Sequence, residues 1–142
     1  QDLHPFMTRV ELVKYCQSKN IVLEAWAPLV RGERFDHPVI VELAKKYKKS
    51  PAQILIRYGL DSVSGALYTQ ISPAFRVLSL SVGCAHTDPV LQGFIVIPKS
   101  TKKNRIADNA NVFDFVLDKE DLDRLLTLDE FLVTDWEVST VP

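Results

Sequence analysis

The chain predicts an α/β fold with a parallel sheet, and a sheet that stops short of closing. Two observations carry this. Helical and strand-like segments alternate along the chain, in the order helix, strand, helices, strand, helix, which is the pattern of parallel α/β architecture. Only two firm strands are legible, with a further one ending at Leu3, in 142 residues. A closed barrel of alternating strands and helices needs about 250 residues. The sequence therefore reads as part of a larger unit.

The elements follow in order. Thr8 and Glu11 have the spacing of a T-x-x-E capping box. Val10 with Val13, and Leu12 with Cys16, then recur at helical spacing, so residues 9–19 read as an amphipathic helix. Ile21 to Leu29 is an apolar, β-branched run stopped by Pro28, the signature of a buried strand. A charged loop leads to His37-Pro38, where proline at the first turn opens a second helix with Val39, Leu43 and Tyr47 on one face. Lys45, Lys46, Lys48 and Lys49 crowd its end, where cations suit the helix dipole. Ser50-Pro51-Ala52-Gln53 starts a third helix with a Ser cap, Pro at the first position and Gln at the third. Gly93 to Lys99 reads as a second buried strand, and Ser100 or Thr101 caps a helix through about Asn109. Phe113, Phe115 and Leu117 alternate in an extended stretch. Asp118 caps a last helix, with Leu122, Leu125 and Leu126 on its inner face.

Composition excludes several classes of function. Apolar residues make up 46% and charged residues 25%, which is globular rather than disordered. The formal net charge of -1 gives no broad electrostatic reason to bind nucleic acid or an anionic membrane. No apolar run reaches the roughly 18–20 residues that span a bilayer. Gln1 in place of Met implies a missing or processed start, and His4, Pro5 and Arg9 interrupt any signal-peptide core. Of the two cysteines, Cys16 and Cys84, neither has metal-ligand spacing, and Cys16 reads as a buried thiol. The expected location is the reducing cytoplasm.

The stretch richest in chemistry is Ile97 to Asn109. A strand ends and a helix begins at once, exposing unsatisfied N–H groups and a partial positive charge. Lys99, Lys102, Lys103 and Arg105 crowd the same place. Cations at a helix start oppose the dipole, a local cost that makes sense if an anion sits there. Ser100 and Thr101 add hydroxyl donors, and phosphate is the natural anion, since α/β barrels hold phosphate after their late strands. Asp108 and Asn109, about one turn past Arg105, reach toward the polar edges of a base. On spacing alone a solvated basic helix start with ordinary capping explains the same residues. Likewise Trp26, at a strand end, reads either as a core aromatic or as a stacking platform.

Several blocks together resemble the aldo-keto reductase family, in the order that family shows. They are Leu3-His4-Pro5-Phe6, then Glu24-Ala25-Trp26-Ala27-Pro28-Leu29, then Pro51-Ala52-Gln53-Ile54-Leu55-Ile56-Arg57-Tyr58, then Ile97-Pro98-Lys99-Ser100 with Arg105-Ile106 and Asp108-Asn109. Val112-Phe113-Asp114-Phe115 resembles the link to the family's last helix. The resemblance implies the C-terminal portion of a (β/α)8 barrel, incomplete, that binds NADP(H) and serves the reduction of aldehydes and ketones to alcohols. It implies that Lys99, Ser100 and Arg105 hold the adenosine 2′-phosphate, and that Asp108 and Asn109 contact the adenine. Trp26 would stack on the nicotinamide, and Leu29 would lie beside the pyrophosphate. Ala27 stands where many members carry Ser, so one hydroxyl contact is absent. The family's catalytic Tyr, Lys, Asp and His come from the first half of the barrel, and no residue here matches them. His4 is not the catalytic histidine, and Gln1, directly beside Asp2, does not match the family's cofactor-contacting Gln. Trp136 lies where the family builds a variable substrate-facing loop, and plain surface packing explains it equally well.

Between Leu60 and Gly93 the family has a very short turn, whereas this chain carries a long stretch without matching motif or period. Loops of this length are uncommon in compact domains. A functional lid is one reading. Translated, unspliced intron sequence is the favoured one. Val63-Ser64 is encodable by a donor-like GTAAGT, Thr87-Asp88 by a branch-point-like ACTGAC, and Gln92 by an acceptor-like CAG. Removing Val63 through Gln92 restores the family's spacing.

The expected partner is a small carbonyl or alcohol, with no nucleic acid and no membrane. The alternative is a non-catalytic nucleotide-binding or interaction fragment, or a mis-spliced product. A basic helix that binds nucleic acid is a third idea, opposed by the acidic balance of Asp118, Glu120, Asp121, Asp123, Asp129 and Glu130.

Overall fold

The computed structural model describes residues 1–62 and 94–134. The elements are α1 (Val10–Ser18), β1 (Glu24–Ala25), a 3-10 turn at Val30–Gly32, α2 (Pro38–Tyr47), α3 (Pro51–Asp61), β2 (Ile95–Val96), α4 (Lys103–Ala110) and α5 (Lys119–Leu126). β1 and β2 run parallel, Glu24 opposite Ile95 and Ala25 opposite Val96. On the other side of β1, Asp2 makes a parallel bridge to Trp26, where the sequence predicts a strand ending at Leu3. Chain segments that are far apart in sequence thus lie side by side in one direction with helices between them, which is α/β architecture.

The strands differ from the expectation in length and burial. Both were expected to be buried runs, but the paired parts are short and only one side of each is covered among the described residues. Ala25 and Val96 share the face toward α3, and Ala25 is fully buried. Alternation places Glu24, Trp26, Ile95 and Ile97 on the other face, and these are exposed, with Trp26 at 51%. Ile21 and Val22, expected inside, are exposed as well. The β-branched apolar run matches a sheet buried on both faces, and the described elements cover one.

α3 organises the remainder. Its start forms the predicted capping box: Ser50 Oγ accepts from Gln53 N–H (3.3 Å), while Gln53 Oε1 accepts from Ser50 N–H (2.9 Å). The core gathers Ile54, Leu55 and Tyr58 of α3 with Ile40 and Leu43 of α2, Leu122 and Leu125 of α5, and Phe6, Val30 and Leu117. A smaller cluster of Leu3, Ala25 and Phe94 packs with Val13 and Leu23 under the strands. At Gly59 helix and strand approach closely: a Cβ there would meet Val96 Cγ2 at 2.8 Å. At the helix end, buried Arg57 and Asp61 pair with each other. Arg57 donates to Val112 O (3.3 Å) and Asp61 accepts from Leu117 N–H (3.0 Å).

Other elements follow the sequence with local corrections. α2 starts at Pro38 as expected, and Cys16 is a buried free thiol. The expected box at Thr8 and Glu11 does not form. The N-cap of α1 is Arg9 in a left-handed conformation (φ 46°). Thr8 instead donates to Asp129, and Glu11 pairs with Lys14. Neither Ser100 nor Thr101 is the N-cap of α4, which is Lys102. Asp118 occupies the N-cap position of α5 without capping it, because its carboxylate accepts from Lys46 (2.9 Å). Leu126 is 40% exposed rather than inward, one position past the buried Leu122 and Leu125 stripe. Cys84, Trp136 and the stretch Val63–Gln92 lie outside the described residues.

Candidate functional site

β2 continues through Ile97, whose N–H donates to Ala25 O (3.4 Å), into the extended Pro98-Lys99-Ser100. Ser100 Oγ accepts from Lys102 N–H (3.2 Å), a turn that reverses the chain into α4. No side chain caps α4, so its first N–H groups face outward without an internal acceptor. Around them stand Lys99, Lys102, Lys103 and Arg105, all exposed. None of these four forms an ion pair among the described residues, whereas Lys46, Lys49 and Arg124 each hold a carboxylate. Here uncapped N–H donors and unneutralised cations converge, and the arrangement suits an anion.

Behind this positive end lies an open groove of about 510 Å³ lined by Pro98, Lys99, Ser100, Ile106, Asn109 and Ala110. Of the predicted residues, Lys99, Ser100 and Asn109 are therefore brought together. Arg105 and Asp108 lie on the exposed surface of α4 outside the groove lining, with Arg105 one turn before Asn109. The sequence reading gave no site role to the apolar walls Pro98, Ile106 and Ala110. The spacing of Ile106, Asn109 and Ala110 at i, i+3 and i+4, one helix face, was the signal for them.

α3 fixes the far end of α4. Gln53 Nε2 donates to Asp108 O (3.2 Å) and Asn111 O (2.8 Å), satisfying carbonyls at the helix C-terminus. The same glutamine thus starts one helix and ends another, holding Asn109 against the groove.

Trp26 and Leu29 stand at the end of β1, away from the groove lining. Trp26 is half-exposed on the open face of the sheet, alongside Ile95 and Ile97. Its register puts it beside Ile97, two residues before Lys99. Leu29 is partly buried and packs on the main core. The loop between them and α2 is strained: Ala27 (φ 48°), Val30 (φ 50°) and Arg31 (φ 49°) are left-handed without being glycine. For β-branched Val30 this is a genuine outlier, and such strain concentrates at ligand-binding loops.

His4 is buried, and neither ring nitrogen has a hydrogen-bond partner among the described residues. Burial lowers its pKa to about 4. Its ring lies 6.4 Å, centroid to centroid, from that of Phe6. Among the described residues no group of acidic, histidine or cysteine side chains has the arrangement of a metal site, and no helix is long and apolar enough to cross a membrane.

Known proteins are similar to this chain in sequence and fold. The chain is 39% identical to an uncharacterized oxidoreductase of Schizosaccharomyces pombe, over 99% of this chain and 40% of that protein. It is 37% identical to the methylglyoxal reductase DkgA of Escherichia coli, over 91% of this chain and 37% of DkgA. Among solved structures, a crystal structure of a Gox0644 mutant in complex with NADPH superposes with a TM-score of 0.66 at 28% identity, over 92% of this chain and 37% of that one. The chain thus spans about two fifths of the length of the relatives it matches. Residues 3–130 match the model of the aldo/keto reductase family, so that the HPF turn, the Trp26 strand, α3 and the α4 groove all fall within one family match, and the chain belongs to that family.

Proposed function

We propose that this chain is the cofactor-binding part of an NADPH-dependent, cytoplasmic reductase of aldehydes and ketones, and corresponds to the C-terminal portion of a (β/α)8 barrel. One observation carries the reading. The start of α4 gathers uncapped N–H groups, Lys99, Ser100 and nearby Arg105 beside a groove that Asn109 lines. A dinucleotide with a 2′-phosphate fits such a place: the phosphate takes the cations and helix donors, and the adenine takes Asn109 and Asp108. The half-exposed Trp26 ring suits the nicotinamide, and Leu29, past the end of β1, is assigned to the pyrophosphate. Bound NADPH supplies the reducing equivalent for conversion of a carbonyl to an alcohol. The residues of this chain bind and orient it, and the proton donor lies outside the chain.

The test is titration of the purified chain with NADPH and NADH, read by Trp26 fluorescence in a Trp136→Phe background. Quenching should saturate with NADPH preferred over NADH. The preference should fall at least tenfold in Lys99→Ala with Arg105→Ala, since a hydrogen bond to a charged group contributes about 1.5–3 kcal/mol. Equal binding of both nucleotides, or binding indifferent to the double substitution, would overturn the assignment. Methylglyoxal added with NADPH should leave the cofactor unoxidised, and steady oxidation would place the proton donor within this chain.

The stretch Val63–Gln92 is, in this reading, an insertion of translated intron sequence. The support is the closeness of its flanks: Phe94 N–H donates to Gly59 O at 2.7 Å, so α3 and β2 already meet without it. Genomic bases at the predicted donor and acceptor positions that do not fit those signals would refute the intron origin.

A further inference from the structure

Residues 1–8 and 129–134 are stitched together. Thr8 donates through both N–H and hydroxyl to Asp129 Oδ2. Phe6 O accepts from Glu130 N–H (3.3 Å) and Leu132 N–H (2.9 Å). Asp2 Oδ2 accepts from Thr134 N–H (3.1 Å) and Thr134 Oγ1 (3.3 Å). Asp2 is 8% exposed and Thr134 likewise, so this tie is made away from bulk water.

The residues on either side of Asp2 also hold Trp26. Trp26 N–H donates to Gln1 O (2.8 Å), and Leu3 N–H donates to Trp26 O (3.4 Å). The Trp26 ring is half-exposed, and its backbone is held from both sides by this segment, which sets where the ring starts from. That backbone is held by the segment whose one buried carboxylate is anchored to Thr134. A two-residue strand edge frays easily, whereas a buried carboxylate that accepts two hydrogen bonds is a firm attachment point.

We propose that Asp2 is a positioning residue for Trp26, transmitting the anchorage at Thr134 through Gln1 and Leu3 to the aromatic ring. The consequence for cofactor binding rests on the reading of Trp26 as the nicotinamide platform; the mechanical link does not. Asp2 would thereby serve the nicotinamide end of the site only, leaving the phosphate end at Lys99 and Arg105 to α4.

The test uses the whole chain in the Trp136→Phe background, with Asp2→Ala, Asp2→Asn, Thr134→Val and, as control, Thr8→Val. Three quantities are read: acrylamide quenching of Trp26, NADPH affinity, and affinity for adenosine 2′,5′-bisphosphate, which engages only the phosphate end. Asp2→Ala should change acrylamide access to Trp26 and weaken NADPH about tenfold, the scale of one lost charge-assisted bond. The bisphosphate should bind as before. Asp2→Asn keeps an acceptor oxygen and should restore most of the loss. Thr134→Val should act in the direction of Asp2→Ala, and it stands in if that variant does not fold. Thr8→Val cuts a neighbouring tie that does not frame Trp26 and should leave all three readings in place. Unchanged Trp26 access in Asp2→Ala and Thr134→Val would overturn the proposal. So would equal weakening of NADPH and the bisphosphate, which signals general loosening. Failure of the cofactor reading shows differently: the parent chain does not bind NADPH, while acrylamide access to Trp26 still responds to Asp2.

Discussion

His4 has both ring nitrogens buried without partners among the described residues, and its pKa is lowered to about 4 by that burial. The unfolded chain takes up a proton near pH 6.5, while the folded chain resists until about pH 4. Between those values the unfolded state binds more protons, so stability falls as the pH falls. The full effect is about 3 kcal/mol, at ~1.4 kcal/mol per pH unit. Above pH 6.5 the residue is neutral in both states and costs nothing on this account. Denaturant unfolding from pH 7 to 4 should show this acid limb, and His4→Leu should flatten it. An unaltered slope in the variant would assign the limb to other groups. The sequence set His4 in a short turn before Pro5 but gave no sign that it would be buried. Its lack of partners was not legible either, because that depends on which groups the rest of the chain turns toward it.

At the scale of the element, α3 shows how far local rules reach. Ser50, Pro51 and Gln53 announce the helix start, and the capping box forms as they predict. Thr8 and Glu11 carry the same kind of spacing, yet Asp129, distant in sequence, takes the Thr8 hydroxyl instead. Local capping contributes about 1 kcal/mol, and a charge-assisted bond to the partly buried Asp129 carboxylate is stronger for the same donor. The second duty of Gln53, on Asp108 O and Asn111 O, was equally hidden. Gln53→Ala should therefore cost about 2–3 kcal/mol in denaturant unfolding, since part of a cap and bonds to two carbonyls are lost together. It should also weaken NADPH binding by freeing the end of α4. Gln53→Glu keeps the capping acceptor but not the donor. It should recover the cap and not the α4 contacts. A loss in Gln53→Ala no larger than a cap alone would show that α4 does not rely on it.

At the scale of the whole molecule, the meeting of Gly59 with Phe94 and Val96 makes a strong demand. If α3 and β2 are joined across this contact, Val63 through Gln92 is dispensable. A chain with that stretch deleted, linking Ser62 to Gly93, should keep its helical circular dichroism and its NADPH affinity within about twofold. Shorter loops also cost less closure entropy, about 0.6 kcal/mol per halving, so the thermal midpoint should hold or rise. Loss of cooperative unfolding on deletion would make the stretch part of the fold. The exposed face carrying Trp26, Ile95 and Ile97 belongs to this scale too. In β1 the charged Glu24 marks the open face, whereas Ile95 and Val96 of β2 are alike in composition, and the placement of α3 on one side decides which of them is covered.

By itself the sequence determined the α/β alternation, the starts of α2 and α3, the burial of Cys16 and the gathering of cations before α4. Each rests on neighbours within a turn or two, where steric preference, capping and periodicity act directly. The tertiary structure decided which face of each strand is covered and which carboxylate takes Thr8. It also decided that Lys99, Ser100 and Asn109 share a groove while Arg105 and Asp108 stand outside its lining. These depend on contacts between residues tens of positions apart, whose energies are set by how the elements pack and not by any local pattern.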